Sequence, residues 1–423
     1  MKIHFVGIGG IGLSGLARVL KSLGHEVEGS DLKQTKLTQS LMDIGIKVST
    51  PQSASNISNQ DLVVYSAVVK EDNVERQEAQ KQGIKTISRK ELLPMILDKK
   101  KVYSVAGAHG KSTTSAILTA IMQCDAIIGA ESKEFDCNVR FNNDKLIAFE
   151  ADESDASFLN SNPYCAIVTN AEPEHMEYYK HDISAFENAY RNFLDLATLR
   201  VINAEDPLLA SFKLDAIKLY PSVDITDIRY DMENGEPLTI FNLKKLGEFK
   251  VWGYGTHMAI DASLAILAAL NELDITTIRR NLRKFKGIKK RFDILHTSKE
   301  STLIDDYAHH PTEIKATLES AKLYARLKQQ SHITAIWQPH KYSRTIANLN
   351  GFETCFKGDD ELNILPVYSA GEEQIKIDFE HLFKAYHPKM AKNIKEARKI
   401  SDFDNGVVIG FGAGDITYQL RED

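Results

Sequence analysis

The residues best placed to do chemistry form the run Gly107-Ala108-His109-Gly110-Lys111-Ser112-Thr113. Glycines at this spacing let backbone N–H groups turn toward phosphate oxygens. Lys111 supplies a point charge for the β- and γ-phosphates, and the Ser112 hydroxyl is placed for Mg²⁺. The match is to the short form G-x-x-G-K-S, because Val105 stands where the longer phosphate loop has its first glycine. A Gly-rich turn with a surface lysine is the bland alternative, and the flanks argue against it. Val102–Ala106 is an apolar run that reads as a buried strand, and Ala116, Ile117, Leu118 and Ile121 have helical spacing. The helix start adds the positive end of its dipole.

A second glycine turn, Gly7-Ile8-Gly9-Gly10-Ile11-Gly12, follows the short β-rich run Lys2–Val6 and leads into a helical segment through Leu16, Leu20 and Leu23. Asp31 lies about 20 residues beyond the glycines, where a carboxylate meets a ribose or base edge. Alone, this motif most often means NAD(P). A nicotinamide enzyme has no evident need of a second phosphate loop, so two such turns indicate two different nucleotides.

Two polar clusters sit at predicted strand ends. Glu150-Ala-Asp152-Glu153-Ser-Asp155 follows the strand Lys145–Phe149, and carboxylates there suit a hard cation such as Mg²⁺; the alternative is a solvated acidic turn. Asn170, Glu174 and His175 follow the strand Ala166–Thr169 and are candidate metal or phosphate ligands. The carboxyl ends of parallel strands are where α/β sheets bind ligands.

The elements that must position these groups alternate strand and helix, so the fold class is α/β. Runs at Val27–Gly29, Lys47-Val48, Leu62–Ala67 and Lys85–Ile87 read as strands, with a helix over Val74–Gln82, giving a first domain over 1–98. Lys99-Lys100-Lys101 reads equally as a linker or a solvated turn. The central domain, 99–290, carries helices over Ile183–Leu196 and Ala259–Leu273 and antiparallel β structure over Leu238–Trp252; residues 125–144 give no clear pattern. A third domain, 291–423, has four strands ending in polar or glycine residues: Thr302–Ile304 before Asp306-Tyr307-Ala308-His309-His310, Ile333–Trp337 before His340 and Arg344, Leu362–Val367, and Val407–Ile409 before Gly410.

The 423 residues fit about three domains at ~150 residues each. A net charge of −6 gives no sign of nucleic acid or an anionic membrane as partner. No run approaches the roughly 18 apolar residues of a membrane span. The opening MKIHFVGIGG runs straight into a glycine turn, so no signal peptide is expected. Cys124, Cys137, Cys165 and Cys355 are widely spaced, which fits a reducing cytoplasm and no zinc site.

The motifs AGAHGKSTT, EADESDASF, TNAEPEHMEYY, KRFD, DDYAHHPTE, QPHKYSRT and the final GAGD, in this order, resemble the Mur ligase family. The opening GIGGIGLSGLA is similar to the branch that loads L-alanine. The resemblance implies a Rossmann-like N-terminal domain for a UDP-sugar, a central P-loop ATPase domain and a Rossmann-like C-terminal domain. It implies that Gly9, Gly10, Gly12 and Ser14 cradle the UDP diphosphate, with Asp31 and Ser66 nearby. Gly107, Ala108, His109, Gly110, Lys111, Ser112 and Thr113 would hold ATP, and Ser112, Glu150 and His175 would coordinate Mg²⁺. Arg291 and Asp306 would reach the nucleotide from the third domain. Tyr307, His309, His340 and Arg344 would line the alanine site, with Arg344 as a fork for its carboxylate. Asn138 would keep a substrate contact. The family's His-Asn-x-x-Asn run, whose amides lie near adenosine, reads His257-Met258-Ala-Ile-Asp261 here.

The implied reaction joins L-alanine to the lactyl carboxylate of UDP-N-acetylmuramate. ATP phosphorylates the carboxylate, the amine attacks the acyl phosphate, and phosphate leaves. Such chemistry needs positioning and charge neutralisation more than a protein nucleophile. Lys111, His175, His309, His340 and Arg344 are the expected catalytic groups, and the sequence leaves open which histidine assists the amine. Closure of the third domain would exclude water. A cytoplasmic monomer or weak homodimer is expected. The alternatives are a ligase adding a preformed peptide to the same sugar, an NAD(P)-dependent oxidoreductase, and a non-catalytic nucleotide-binding regulator.

Overall fold

Five short strands, β1 (Lys2–Val6), β2 (Glu26–Ser30), β3 (Lys47–Ser49), β4 (Leu62–Tyr65) and β5 (Lys85–Ser88), form one sheet in the order β3-β2-β1-β4-β5, parallel throughout. β1 and β4 carry near-continuous apolar runs because helices cover both faces of such a sheet. The helix Ile11–Ser22 buries Leu13, Leu16, Ala17, Val19 and Leu20. β1 lies between β2 and β4, so the glycine turn after it sits where the strand order reverses, the position at which such sheets open a crevice.

A second sheet comprises β6 (Lys101–Ala106), β7 (Asp125–Ser132), β8 (Cys137–Arg140), β9 (Leu146–Glu150), β10 (Cys165–Val168), β11 (Leu199–Asn203) and β12 (Ile217–Leu219), in the order β12-β11-β10-β6-β9-β7-β8. Only the β7–β8 pair is antiparallel. β6 lies between β10 and β9, which puts the phosphate loop at this sheet's own reversal point. A three-stranded sheet contains β13 (Ile225–Glu233), β14 (Glu236–Leu243) and β15 (Glu248–Trp252). The last sheet is β16 (Asp293–Thr297), β17 (Ser301–Asp306), β18 (Ile333–Trp337), β19 (Glu361–Ile364), β20 (Lys389–Met390) and β21 (Gly406–Phe411), in the order β16-β17-β21-β18-β19-β20. There β16 alone runs antiparallel. The three-domain α/β reading holds.

This computed structural model describes all residues except 67, 174, 175 and 423. The expectations placed on Ala67, Glu174 and His175 therefore lie outside the described residues. The chain divides into two compact units, one of Met1–Thr226, Asn242–Phe249 and Ile260–Lys286, the other of Asp227–Phe241, Lys250–Ala259 and Gly287–Asp423. The first is built on the five- and seven-stranded sheets and the second on the six-stranded sheet, whose core gathers Trp337, Phe352, Phe356, Phe383 and Phe411. Among the described residues no helix is long and apolar enough to cross a membrane.

Several boundaries differ from the sequence reading. The patternless stretch 125–144 is the β7–β8 hairpin, whose alternation is broken by a register shift between Ile127 and Ser132. The helix expected over 259–273 is Thr256–Ala269, starting where Gly255 releases the chain. The strand expected over 362–367 stops at Ile364, two residues before Pro366. Lys100 and Lys101 are not a solvated turn: Lys100 pairs with Asp125 at 3.1 Å and Lys101 with Glu272 at 2.5 Å.

Candidate functional site

The glycine turn of the first unit is held by its own sheet edge. The carbonyl of Ser30, the last residue of β2, accepts the N–H groups of Gly7 and Ile8 at 2.9 and 3.0 Å. Asp31 Oδ2 accepts the Gly9 N–H at 2.7 Å, so this carboxylate closes the turn. The Ser14 hydroxyl donates to the Ile11 carbonyl at 2.9 Å. Ser66 borders the same turn, accepting the Val69 N–H at 2.9 Å. Gly10 makes the corner by donating to Gly7 O at 3.2 Å.

Two groups that the sequence reading passed over converge here. The Arg89 guanidinium lies so close to Gly12 that a Cβ there would be 3.0 Å from Nε. Its Nε–H is buried without a partner, and Nη1 is 3.8 Å from Asp152 Oδ2. Arg89 thus spans from the glycine turn to the acidic loop after β9. Deeper in, the fully buried Glu75 accepts hydrogen bonds from the Ser30 hydroxyl, the Asn56 amide at 2.7 Å and the Ser53 N–H at 3.1 Å, with His4 Nε2 at 3.2 Å. Burial works against this carboxylate, yet the bonds from His4, Ser30 and Asn56 hold it below the usual range. Neither residue belongs to a motif; a charge at a helix start or inside a polar helix reads as surface.

The phosphate loop follows the same logic. Gly110 caps the helix Lys111–Met122 with φ +80°, a conformation glycine adopts freely, and the Asp261 carboxylate leaves no room for a Cβ there. The first-turn N–H groups of Lys111, Ser112 and Thr113 have no acceptor within the helix. Lys111 Nζ donates to the Gly107 carbonyl, to Ala108 O at 3.2 Å and to Glu153 Oε1 at 2.9 Å. Asn170 grips His109 from both sides, its Oδ1 accepting the His109 N–H and its Nδ2 donating to the His109 carbonyl, each at 2.9 Å. Its amide is therefore committed to the loop rather than free for a ligand.

Ser112 Oγ donates to Glu150 Oε1 at 3.0 Å, and the Gly129 N–H donates to Glu150 Oε2 at 2.6 Å. Burial raises the Glu150 carboxyl above its ordinary range against the pull of the Gly129 N–H, Lys111 and Ser112. Adjacent hydroxyl and carboxylate oxygens on a desolvated group are the donor set of a hard cation. Among the described residues no three His, Cys, Asp or Glu side chains form a metal cluster. Asn138 Nδ2 donates to the Ile11 carbonyl at 2.8 Å, tying the β8 strand to the helix that follows the glycine turn.

At the departures from the family pattern, Met258 packs against Gly253 and Asp261 against Gly110. Asp261 is buried with the Thr114 hydroxyl as its polar neighbour, and burial pushes its pKa up to about 8.

The second unit gathers its own set at the carboxyl ends of β17 and β18. Asp306 accepts the Phe292 and Ala308 N–H groups at 2.7 and 2.8 Å, and burial raises its pKa to about 6. Arg291 stands over the Tyr307 ring at 5.5 Å and 3.8 Å from Glu313 Oε1. Tyr307 and His309 meet edge to face at 5.4 Å, and His309 and His340 at 6.0 Å. Arg344 Nη1 donates to His340 Nδ1 at 3.1 Å. Tyr307, His309, His340 and Arg344 are thus one cluster.

This geometry has close parallels. Residues 2–101 match the model of the Mur ligase family catalytic domain, 105–268 the Mur ligase middle domain and 290–414 the Mur ligase glutamate ligase domain. The chain is 55% identical to a UDP-N-acetylmuramate–L-alanine ligase of Campylobacter curvus, with 99% of each chain covered. It is 53% identical to the protein of the same name from Helicobacter pylori, covering 99% of this chain and 96% of that one. Among solved structures, the UDP-N-acetylmuramate-alanine ligase of Thermotoga maritima matches with a TM-score of 0.86 at 27% identity, over 100% of this chain and 98% of that chain. Three Mur ligase domain models matched in order along the sequence, and relatives of 53% and 55% identity covering nearly all of it, have one explanation: the chain belongs to the Mur ligase family.

Proposed function

We propose that this protein joins L-alanine to the lactyl carboxylate of UDP-N-acetylmuramate, with ATP converted to ADP and phosphate through an acyl-phosphate intermediate, in peptidoglycan precursor synthesis. The observation that carries the reading is the pair of separately built phosphate turns in a chain that matches L-alanine ligases from end to end. The glycine turn with Gly9, Gly10, Gly12, Ser14, Asp31 and Ser66 takes the UDP diphosphate, and Arg89 supports it with a guanidinium beside Gly12. The loop from Gly107 to Thr113 takes the ATP phosphates, with Arg291 and Asp306 as nucleotide contacts. The domain limits proposed with it are 1–98, 99–290 and 291–423.

Lys111 and the first-turn amides neutralise charge on the transferring phosphoryl group, which needs positioning more than covalent help. Ser112 and Glu150, with His175, would hold Mg²⁺, whose charge would offset that of the phosphate oxygens. Arg344 receives the alanine carboxylate as a fork, and its bond to His340 fixes the guanidinium plane. The enzyme works in the cytoplasm as a monomer or weak homodimer, without nucleic acid or membrane.

The test is phosphate release from ATP and Mg²⁺ with UDP-N-acetylmuramate, with and without L-alanine, glycine or L-serine. Release that needs the sugar and is fastest with L-alanine supports the reading. Release only with a preformed tripeptide would move it to the peptide-adding ligases.

A further inference from the structure

Three histidines crowd the alanine side of the second unit, and their hydrogen bonds divide them by role. A carbonyl oxygen only accepts and a guanidinium only donates, so each contact assigns a proton. His310 is fully engaged: Nε2 lies 3.1 Å from Asn348 Oδ1 and Nδ1 lies 2.7 Å from the Thr312 hydroxyl. Asn348 Nδ2 donates to Arg344 O at 3.0 Å, which confirms Oδ1 as the acceptor facing His310. His340 receives the Arg344 N–H at Nδ1, so its proton is on Nε2, which is left as a donor. Burial, with Arg344, His309 and Lys341 nearby, drives its pKa down to about 4, and it stays neutral.

His309 is the reverse. Its Nδ1 lies 3.0 Å from the Tyr307 carbonyl, so Nδ1 carries the proton and Nε2 presents a lone pair. Nε2 has no hydrogen-bond partner among the described residues. Glu313 sets this arrangement. Its Oε2 accepts the His309 and His310 N–H groups at 3.0 and 3.2 Å and lies 3.5 Å from His309 Nδ1, while Oε1 lies 3.8 Å from Arg291 Nη1.

We propose that His309 Nε2 takes the proton from the attacking alanine amine, and that Glu313 is the positioning residue that orients His309. The proposal rests on the L-alanine ligase reading. Alanine's ammonium first gives one proton to solvent; the neutral amine attacks the acyl carbon, the C–N bond forms, and the nitrogen of the tetrahedral adduct becomes cationic. Its proton passes to His309 Nε2. The adduct then collapses, the C–O bond to the phosphoryl group breaks, and phosphate departs with the electron pair. His340, with its proton on Nε2, donates to an alanine carboxylate oxygen beside Arg344.

The charged groups facing His309 set its titration. Burial lowers it, Glu313 and the Tyr307 carbonyl raise it, and Arg344 and Arg291 lower it further. A weakened imidazole suits this step, because the adduct nitrogen is far more acidic than free alanine.

The experiment is the pH profile of kcat/KM for L-alanine at saturating ATP, Mg²⁺ and UDP-N-acetylmuramate, for the wild type, His309→Ala, His340→Ala and Glu313→Gln. Acyl phosphate is trapped in parallel with hydroxylamine, a neutral nucleophile. His309→Ala is expected to lose about 10²- to 10⁴-fold in alanine-dependent turnover, to lose the acidic limb that the imidazole adds to the titration of alanine's own ammonium, and to keep hydroxamate formation. Glu313→Gln, which still accepts both backbone N–H groups, should move that limb to lower pH. His340→Ala should raise the KM for alanine and keep the limb. Turnover within about threefold of wild type in His309→Ala, a limb that survives there, a limb unmoved in Glu313→Gln, or hydroxamate lost in His309→Ala would each overturn the proposal. If the wild type itself gives neither alanine-dependent phosphate nor hydroxamate, the ligase reading fails instead.

Discussion

Lys111 Nζ lies 2.9 Å from Glu153 Oε1, and the same ammonium also donates to two carbonyls of its own loop. The Glu153 carboxylate is 3% exposed, and its second oxygen is buried without a partner. Burial pushes its pKa up, and Lys111 opposes that shift. Lys111 is therefore the counter-ion of a buried acid as well as the proposed phosphate ligand.

Lys111→Ala should abolish turnover and leave UDP-sugar binding intact by calorimetry. It should also destabilise the fold by about 3–5 kcal/mol, because it strands a buried charge. Adding Glu153→Gln should recover most of the melting temperature and none of the activity. A single variant as stable as wild type would show that the ion pair is not coupled to folding.

Arg89→Ala should raise the KM for the UDP-sugar by about 10- to 100-fold, the range of a charged hydrogen bond, with the KM for ATP little changed. Arg89→Lys should recover only part, since an ammonium cannot reproduce the planar fork beside Gly12. Equal losses for both substrates would place Arg89 in the general architecture rather than at the sugar site.

Glu75 acts one layer further back, through Ser30. Its folded pKa lies below the ordinary carboxylate value of 4.5, so the stability it contributes is complete above that value and is lost as pH falls through the lowered pKa. Glu75→Gln should flatten this acid-side loss in thermal melts and raise the UDP-sugar KM. Ser30→Ala should add little on top, because both changes act on one hydrogen bond.

Asp261 predicts the opposite pH behaviour. Its pKa is raised from 3.8 to about 8, so the folded state holds a proton that the unfolded chain has lost. Stability should therefore fall as pH rises from about 4 to about 8 and then level off. Asp261→Asn should remove that slope and melt higher at pH 8. Above pH ~8 the wild-type carboxylate, seated against Gly110, should repel the triphosphate and raise the KM for ATP. In the asparagine variant the KM should stay flat.

What was readable in advance was short-range. The turn at Gly7–Gly12, the loop at Gly107–Thr113 and the acidic stretch after β9 each lie within one continuous strand–turn–helix segment, so local backbone demands leave their mark in residue type and spacing. The β7–β8 hairpin was not readable. Its polar positions serve a partner 127 residues away, as Asn138 does at the Ile11 carbonyl. Arg89 and Glu75 were missed for the same reason: each sits on an ordinary-looking helix and acquires meaning only from Gly12 and Ser30.

The sequence by itself determined the α/β class, the two glycine turns, the family and the placing of His309 and His340 just beyond strands of the last sheet. The tertiary structure decided how those groups are wired: Lys111 to Glu153, Asn170 to the phosphate loop, and the opposite tautomers of His309 and His340. The reason is physical. A turn is specified by the conformational freedom of neighbouring residues, whereas a proton's position on an imidazole depends on which acceptor or donor the fold brings within about 3 Å, and distant parts of the chain supply it.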